Sequence, residues 1–196
     1  INRSKTVFSV ENDGVRFGLS ALRGTGQAAI DLVIQERTKN GPFEDFPDFI
    51  SRCAAMLNKR MIEGLIYAGA FDSFGVYRSQ LILVYDNLYQ RASSIAKQKN
   101  SAQMSLFGDF IKEEKLEVKY PDVPEYELNE KLAKEKEVLG VYVSGHPFEK
   151  YMNSFTDCNF NCSLLDDYTE DEDGERTYNA VKDGMHVTMG GVITAF

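Results

Sequence analysis

A mainly α fold is predicted, with two helix, hairpin, helix units in tandem, a small β-hairpin before them and a lone strand after them. Three observations predict it. Apolar residues recur at helical spacing through most of residues 27–98, glycine-flanked turns interrupt them twice, and alternation of apolar with polar residues is confined to the two ends. At 196 residues the chain suffices for one good core, or a smaller core with appended segments.

The elements follow in order. Thr6 to Val10 and Val15 to Gly18 alternate around Glu11-Asn12-Asp13-Gly14, whose Asn, Asp and Gly tolerate the positive φ of a tight turn, so a β-hairpin is expected. Leu19 to Leu22 suggests a short helical turn, and a longer helix with Ile30, Val33 and Ile34 on one face runs until Gly41-Pro42. A short helix is expected over Phe46 to Ala55, and Asn58 suits the cap of a helix through Tyr67 that Gly69 ends. From about Tyr77 a long helix carries Leu81, Val84, Tyr85, Leu88, Ala92 and Ile95 as a stripe. Residues 99–125 read as a linker with Pro121 and Pro124, and Tyr126 to Val143 as a charged helix halted by Ser144-Gly145-His146-Pro147. Residues 151–182 are an acidic, turn-rich connector, and Met185 to Phe196 is rich in β-branched residues, as a strand would be.

Charge divides the chain. Residues 1–100 hold 13 Lys and Arg against 10 Asp and Glu, and residues 101–196 hold 9 against 20, so the net charge of -8 belongs to the second half. Local potential within roughly 8 Å governs binding at physiological salt, so the first half remains free to take an anionic partner. No apolar run approaches the roughly 20 residues a membrane span needs. Cys53, Cys158 and Cys162 cannot all pair and have no metal-binding or redox spacing; with only His146 and His186 besides, no metal site is expected, and a reducing, cytoplasmic setting is favoured. The first residues, Ile1-Asn2-Arg3-Ser4-Lys5, lack an initiator Met and any leader pattern, so the chain reads as an excised segment.

The chemistry lies in the first hairpin. Leu19-x-x-Leu22-Arg23-Gly24-Thr25-Gly26, followed by Gln27-Ala28-Ala29-Ile30, fits the helix-hairpin-helix pattern of DNA binders without sequence preference. Two glycines let the backbone turn tightly and approach a ligand, and the bared amides of the next helix start accept an anion. Such a site grips sugar-phosphate backbone and touches no base edge. The expected DNA-backbone contacts are Arg23, Gly24, Thr25, Gly26 and Gln27. Lys59, Arg60 and Arg78, at the helix starts of the second unit, join them as side-chain contacts. The second hairpin, Gly69-Ala70-Phe71-Asp72, has one glycine and an aspartate that repels phosphate, so it reads more as a packing partner. His146 is taken as a connector residue, since it lacks the partners a base needs.

More than one motif is matched. Phe8-Ser9-Val10-Glu11, Val15-Arg16-Phe17-Gly18-Leu19-Ser20-Ala21-Leu22-Arg23-Gly24-Thr25-Gly26, Asn58-Lys59-Arg60, Leu65 to Asp72 and Lys136 to Pro147 together resemble the C-family polymerases, the bacterial replicative DNA polymerase III alpha subunits. Thr25 stands where that family more often has an apolar residue, and Phe148 where it usually has Leu. The resemblance implies the end of a fingers domain at 1–18, a tandem helix-hairpin-helix domain at 19–98, a linker at 99–125, a helix and connector at 126–150, an acidic connector at 151–182 and the first strand of a truncated OB-fold at 183–196. It also implies that the catalytic aspartates, and the divalent metal (Mg) they use, lie in a palm domain upstream, so this segment needs no cofactor and performs no nucleotidyl transfer. Gln103-Met104-Ser105-Leu106-Phe107 resembles the family's sliding-clamp-binding motif. Burying Leu106 and Phe107 in a partner's pocket contributes about 1.5 to 3 kcal/mol each before ordering costs, and tethering to the same duplex raises avidity by roughly 10² to 10⁴. The implied partners are duplex DNA, the sliding clamp and other replicase subunits. Two rivals stand beside this: a protein-interaction scaffold whose hairpins only pack, and a repair enzyme, for which no catalytic Lys, paired carboxylates or cofactor loop is present.

Overall fold

The computed structural model describes residues 1–11, 14–99, 116–155, 157–191 and 193, and these divide into two compact units, Ile1–Ser144 and Gly145–Phe196. In the first unit, strands β1 (Ser9–Glu11) and β2 (Gly14–Arg16) pair antiparallel, with Val10 opposite Val15; Asn12 and Asp13 of the expected turn lie outside the described residues. A 3₁₀ turn at Leu19–Ala21 leads through the first hairpin into helix α1 (Gln27–Asn40). Ile30 and Val33 face the core, and Gly41, at φ 87°, ends the helix as its sequence foretold.

Helix α2 (Phe46–Cys53) starts on Asp45, whose carboxylate accepts the Asp48 amide at 2.8 Å, with Pro47 in the first turn, where its missing N–H costs nothing. Helix α3 (Lys59–Tyr67) starts on Asn58, which accepts the Met61 amide at 2.9 Å. Helix α4 (Arg78–Lys99) follows the second hairpin and a 3₁₀ turn at Asp72–Phe74. The core lies where α2, α3 and α4 meet. Phe49 sits 5.1 Å from Phe43 and 4.8 Å from Phe71 between ring centroids, and Ile62, Leu65, Ile66, Leu81 and Leu88 fill in around these rings. Cys53 is buried there, and burial pushes its thiol up to about 12, so it behaves as a small hydrophobe.

The structure departs from expectation in four places. Residues 116–127 are no bare linker: Leu116 is buried, Arg91 donates to the Glu117 carbonyl, Gln80 to Pro121 and Ser79 to Pro124, so this stretch is strapped along α4. Helix α5 (Leu128–Leu139) stops at Gly140, φ 80°, before the Ser-Gly-His-Pro run expected to halt it, because a left-handed glycine suffices. The expected 126–150 piece is divided, with residues up to Ser144 in the first unit and those from Gly145 in the second.

The fourth departure lies in the second unit. The acidic connector forms a hairpin, with β3 (Tyr168–Glu170) antiparallel to β4 (Arg176–Tyr178) around a turn whose Gly174 has φ 82°. Residues 185–191, by contrast, form no strand; Thr188 is held to Asn159, and a strand needs a partner's ladder to exist. Within this unit Phe148 stacks on Phe155 at 4.8 Å, and Gly190 lies against the Phe155 ring, which a side chain there would have to displace. His146 serves its own turn, its Nδ1 accepting the Phe148 amide at 3.2 Å. The expected clamp-binding residues, Gln103 to Phe107, lie outside the described residues.

Candidate nucleic-acid interface

The first hairpin is anchored before it turns. Leu19 and Leu22 are buried, and the Leu19 and Ser20 amides donate to the carbonyls of Lys5 and Thr6 at 2.9 and 3.0 Å. Gly24 then takes φ 77°, a conformation that strains any residue with a Cβ. Thr25 closes the turn upon itself: its amide and its hydroxyl both donate to the Leu22 carbonyl, at 3.2 and 2.7 Å. Gly26 is the N-cap of α1, with extended φ −80° and ψ 132°, and its carbonyl accepts the Ala29 and Ile30 amides.

Four amides remain. Those of Gly24, Gly26, Gln27 and Ala28 find no acceptor among the described residues, and all four residues are exposed. A Cβ on Gly26 would meet nothing within 4 Å, and its φ is one that any residue adopts, so neither turn geometry nor internal packing requires glycine there. The loop also borrows a cation from α3, since a Cβ on Gly24 would lie 3.9 Å from Nε of the exposed Arg60, in the first turn of that helix.

Arg23 is turned the other way. Its amide donates to the Val138 carbonyl at 2.8 Å, and its guanidinium lies over Gly140 and reaches the Glu137 carbonyl at 3.4 Å, so it sits at the C-terminal end of α5, where a cation suits the helix dipole. Its side chain remains exposed. Lys59 is half-exposed and ion-paired with Asp86, which holds its ammonium above the ordinary range by a hydrogen bond.

The second hairpin is closed. Gly69 has φ 75°, and a Cβ there would collide with Arg78 Nη2 and fall 2.8 Å from Asp72 Oδ2. Arg78, expected to touch phosphate, is buried at 2% exposure and fully engaged: Nε and Nη2 donate to Asp72 at 2.9 and 2.6 Å, and Nη1 donates to the Tyr67 carbonyl at 2.9 Å and to Glu135 at 2.8 Å. Burial works against its charge, but Asp72 and Glu135 more than offset that and raise its pKa. Arg78 is therefore removed from the phosphate-binding set, because no donor of its guanidinium faces solvent.

Sequence reasoning missed Glu135, which is wholly buried. Burial alone would raise its carboxyl; hydrogen bonds from the Ser144 hydroxyl, the Ser144 and Val143 amides (2.9 and 2.8 Å) and Arg78 outweigh that and hold it below its ordinary value. A signal existed: Leu132, Glu135 and Leu139 fall on one helical stripe, and a carboxylate among leucines on the buried face demands partners. Glu125 was missed too. Burial raises its carboxyl, but the amides of Tyr126, Arg78 and Ser79 lower it further, so it caps α4 from 47 residues away.

Among known proteins, residues 1–81 match the family model described as helix-hairpin-helix motif. DNA polymerase III subunit alpha of Borreliella burgdorferi is 38% identical over 165 residues, covering 81% of this chain and 14% of that protein. The subunits of the same name from Vibrio cholerae (34% over 167 residues, 82% of this chain, 14% of that protein) and Deinococcus radiodurans (38% over 154 residues, 77% and 12%) are similar to it as well. The chain thus spans about one-seventh of the length of the curated relatives it matches.

Proposed function

We propose that this chain, a relative of the DNA polymerase III alpha subunits along four-fifths of its length, serves a replicative polymerase by gripping the backbone of duplex DNA through its first hairpin. The observation that carries this reading is that the amides of the exposed residues Gly24, Gly26, Gln27 and Ala28 have no acceptor among the described residues and lie beside the exposed Arg60. Main-chain donors at a helix start suit a phosphate oxygen, and they distinguish no base from another. Gly26 supports the reading separately, since its missing side chain leaves room for a ligand's close approach. Arg23 and Lys59 add long-range attraction at most, each being partly committed within the chain.

The clamp-binding role of Gln103, Met104, Ser105, Leu106 and Phe107 rests on their sequence alone. On the sequence resemblance alone, we assign nucleotidyl transfer, its metal, and contacts with other replicase subunits to parts of the relatives that this chain does not span. No described helix is long and apolar enough to cross a membrane. The scaffold reading keeps one foothold, the second hairpin, whose space Arg78 and Asp72 fill.

Electrophoretic titration with two duplexes of unrelated sequence tests the proposal. Equal affinity is expected for both, with log affinity falling against log salt at a slope of about −0.9 per phosphate engaged. Affinity indifferent to salt contradicts it. For the peptide, Leu106→Ala with Phe107→Ala is expected to abolish capture by the clamp and leave the DNA titration unchanged; undiminished capture rejects that assignment.

A further inference from the structure

We infer that α5 is a brace joining the two hairpins, and that Glu135 is a positioning residue that holds the first hairpin in its DNA-binding shape by way of the second. This rests on the reading of the first hairpin as a phosphate site. One short helix carries both attachments. Glu135 takes Arg78, which is ion-paired with Asp72 of the second hairpin, and three residues later Val138 presents its carbonyl to the Arg23 amide at 2.8 Å, while Arg23 Nη1 reaches the Glu137 carbonyl. Glu135 and Val138 lie within one turn of the same helix, so its backbone ladder couples the two attachments.

The brace is itself pinned along its length. Leu132 is wholly buried, and Lys134 places its ammonium 4.5 and 4.8 Å from the ring centroids of Tyr67 and Tyr126. Lys131 reaches Glu125, which caps α4 beside Arg78. Past Gly140 the chain folds back, so that the amides of Val143 and Ser144 close on Glu135 and fix the end of the helix. The turn of α5 that presents the Val138 carbonyl to Arg23 is thus fixed by a buried carboxylate whose own acceptor sites are filled. The second hairpin, unable to reach phosphate, keeps a purpose: Arg78, paired with its Asp72, is the fixed point from which α5 sets the loop bearing Gly24 and Gly26.

The test uses the whole chain with Glu135→Gln, and Ser144→Ala as the milder variant if the first fails to fold. Amide hydrogen exchange is read at Arg23 against Leu65 and Ile66 of the core, and duplex DNA affinity is read at two salt concentrations. The brace predicts faster exchange at Arg23 than the core amides account for, an affinity lower by on the order of tenfold, and an unchanged salt slope, because the same phosphates are met by a looser loop. A merely structural role would speed exchange at all three amides alike. Exchange at Arg23 that rises no more than at the core overturns the inference. So does unchanged affinity where Gly26→Val still abolishes binding. If Gly26→Val leaves affinity intact as well, the phosphate reading of the hairpin is what fails, and Arg23 exchange alone decides the brace.

Discussion

The hairpins at Gly24 and Gly69 share a left-handed glycine, φ 77° and 75°, and then part company. Beside Gly69 the space is filled by the Arg78 guanidinium and the Asp72 carboxylate; beside Gly24 it is open, with Arg60 exposed at its rim. One aspartate makes the difference. Asp72, three residues beyond Gly69, draws Arg78 inward as an ion pair; Gln27, three residues beyond Gly24, brings no charge, and the amides of the following helix start stay bare. A turn of the same backbone type therefore serves either as a plug or as a socket, according to the side chains that follow it.

The largest effect expected from breaking the comparison is on the closed side. Arg78→Ala leaves Glu135 buried without its cation, and urea denaturation is expected to show a loss of about 3 to 5 kcal/mol, against roughly 0.5 kcal/mol or less for Arg60→Ala at the open rim. Equal losses for the two would erase the distinction. Next come the glycines. Gly24→Ala meets only the left-handed backbone, about 1 to 2 kcal/mol, whereas Gly69→Ala adds a collision with Arg78 and is expected to cost more than that in the same assay.

Acid is expected to weaken the closed side. The carboxyls of Glu135 and Glu125 lie below their ordinary value of 4.5 in the folded chain. A depressed carboxyl contributes stability that is full above the unfolded value and is lost as pH falls through the folded one, so stability should decline below about pH 4.5, and the decline should be shallower in Glu135→Gln. A stability curve flat through that window in the unaltered chain, followed by thermal melts, counts against the network. The smallest effect on stability belongs to Gly26→Val, whose extended backbone and empty surroundings predict a change within about 0.5 kcal/mol.

Much of this architecture was legible in the sequence, for reasons particular residues make plain. Asn58 and Gly41 mark helix ends because capping is local, and the stripe of Leu81, Leu88 and Ala92 reveals α4 because burial follows helical spacing. The turn at Gly24 is local too. What escaped was set by partners far along the chain. Arg78 looks like any cation at a helix start until Glu135, 57 residues on, buries it. Leu116 reads as part of a linker yet is buried in the core, and Tyr168 and Tyr178 pair as strands in a segment whose acidic charge concealed their β preference. Within the candidate site, spacing identified Gly24 and Gly26 but not their separate duties, one for the turn and one for the space beside it.

That separation offers the most direct measurement. Fluorescence anisotropy of a labelled duplex, titrated with the unaltered chain and with Gly26→Val, should show affinity falling by on the order of tenfold or more while the urea midpoint stays put. Undiminished affinity in the folded Gly26→Val chain would contradict the account, since it would mean that no phosphate approaches the amides between Gly24 and Ala28.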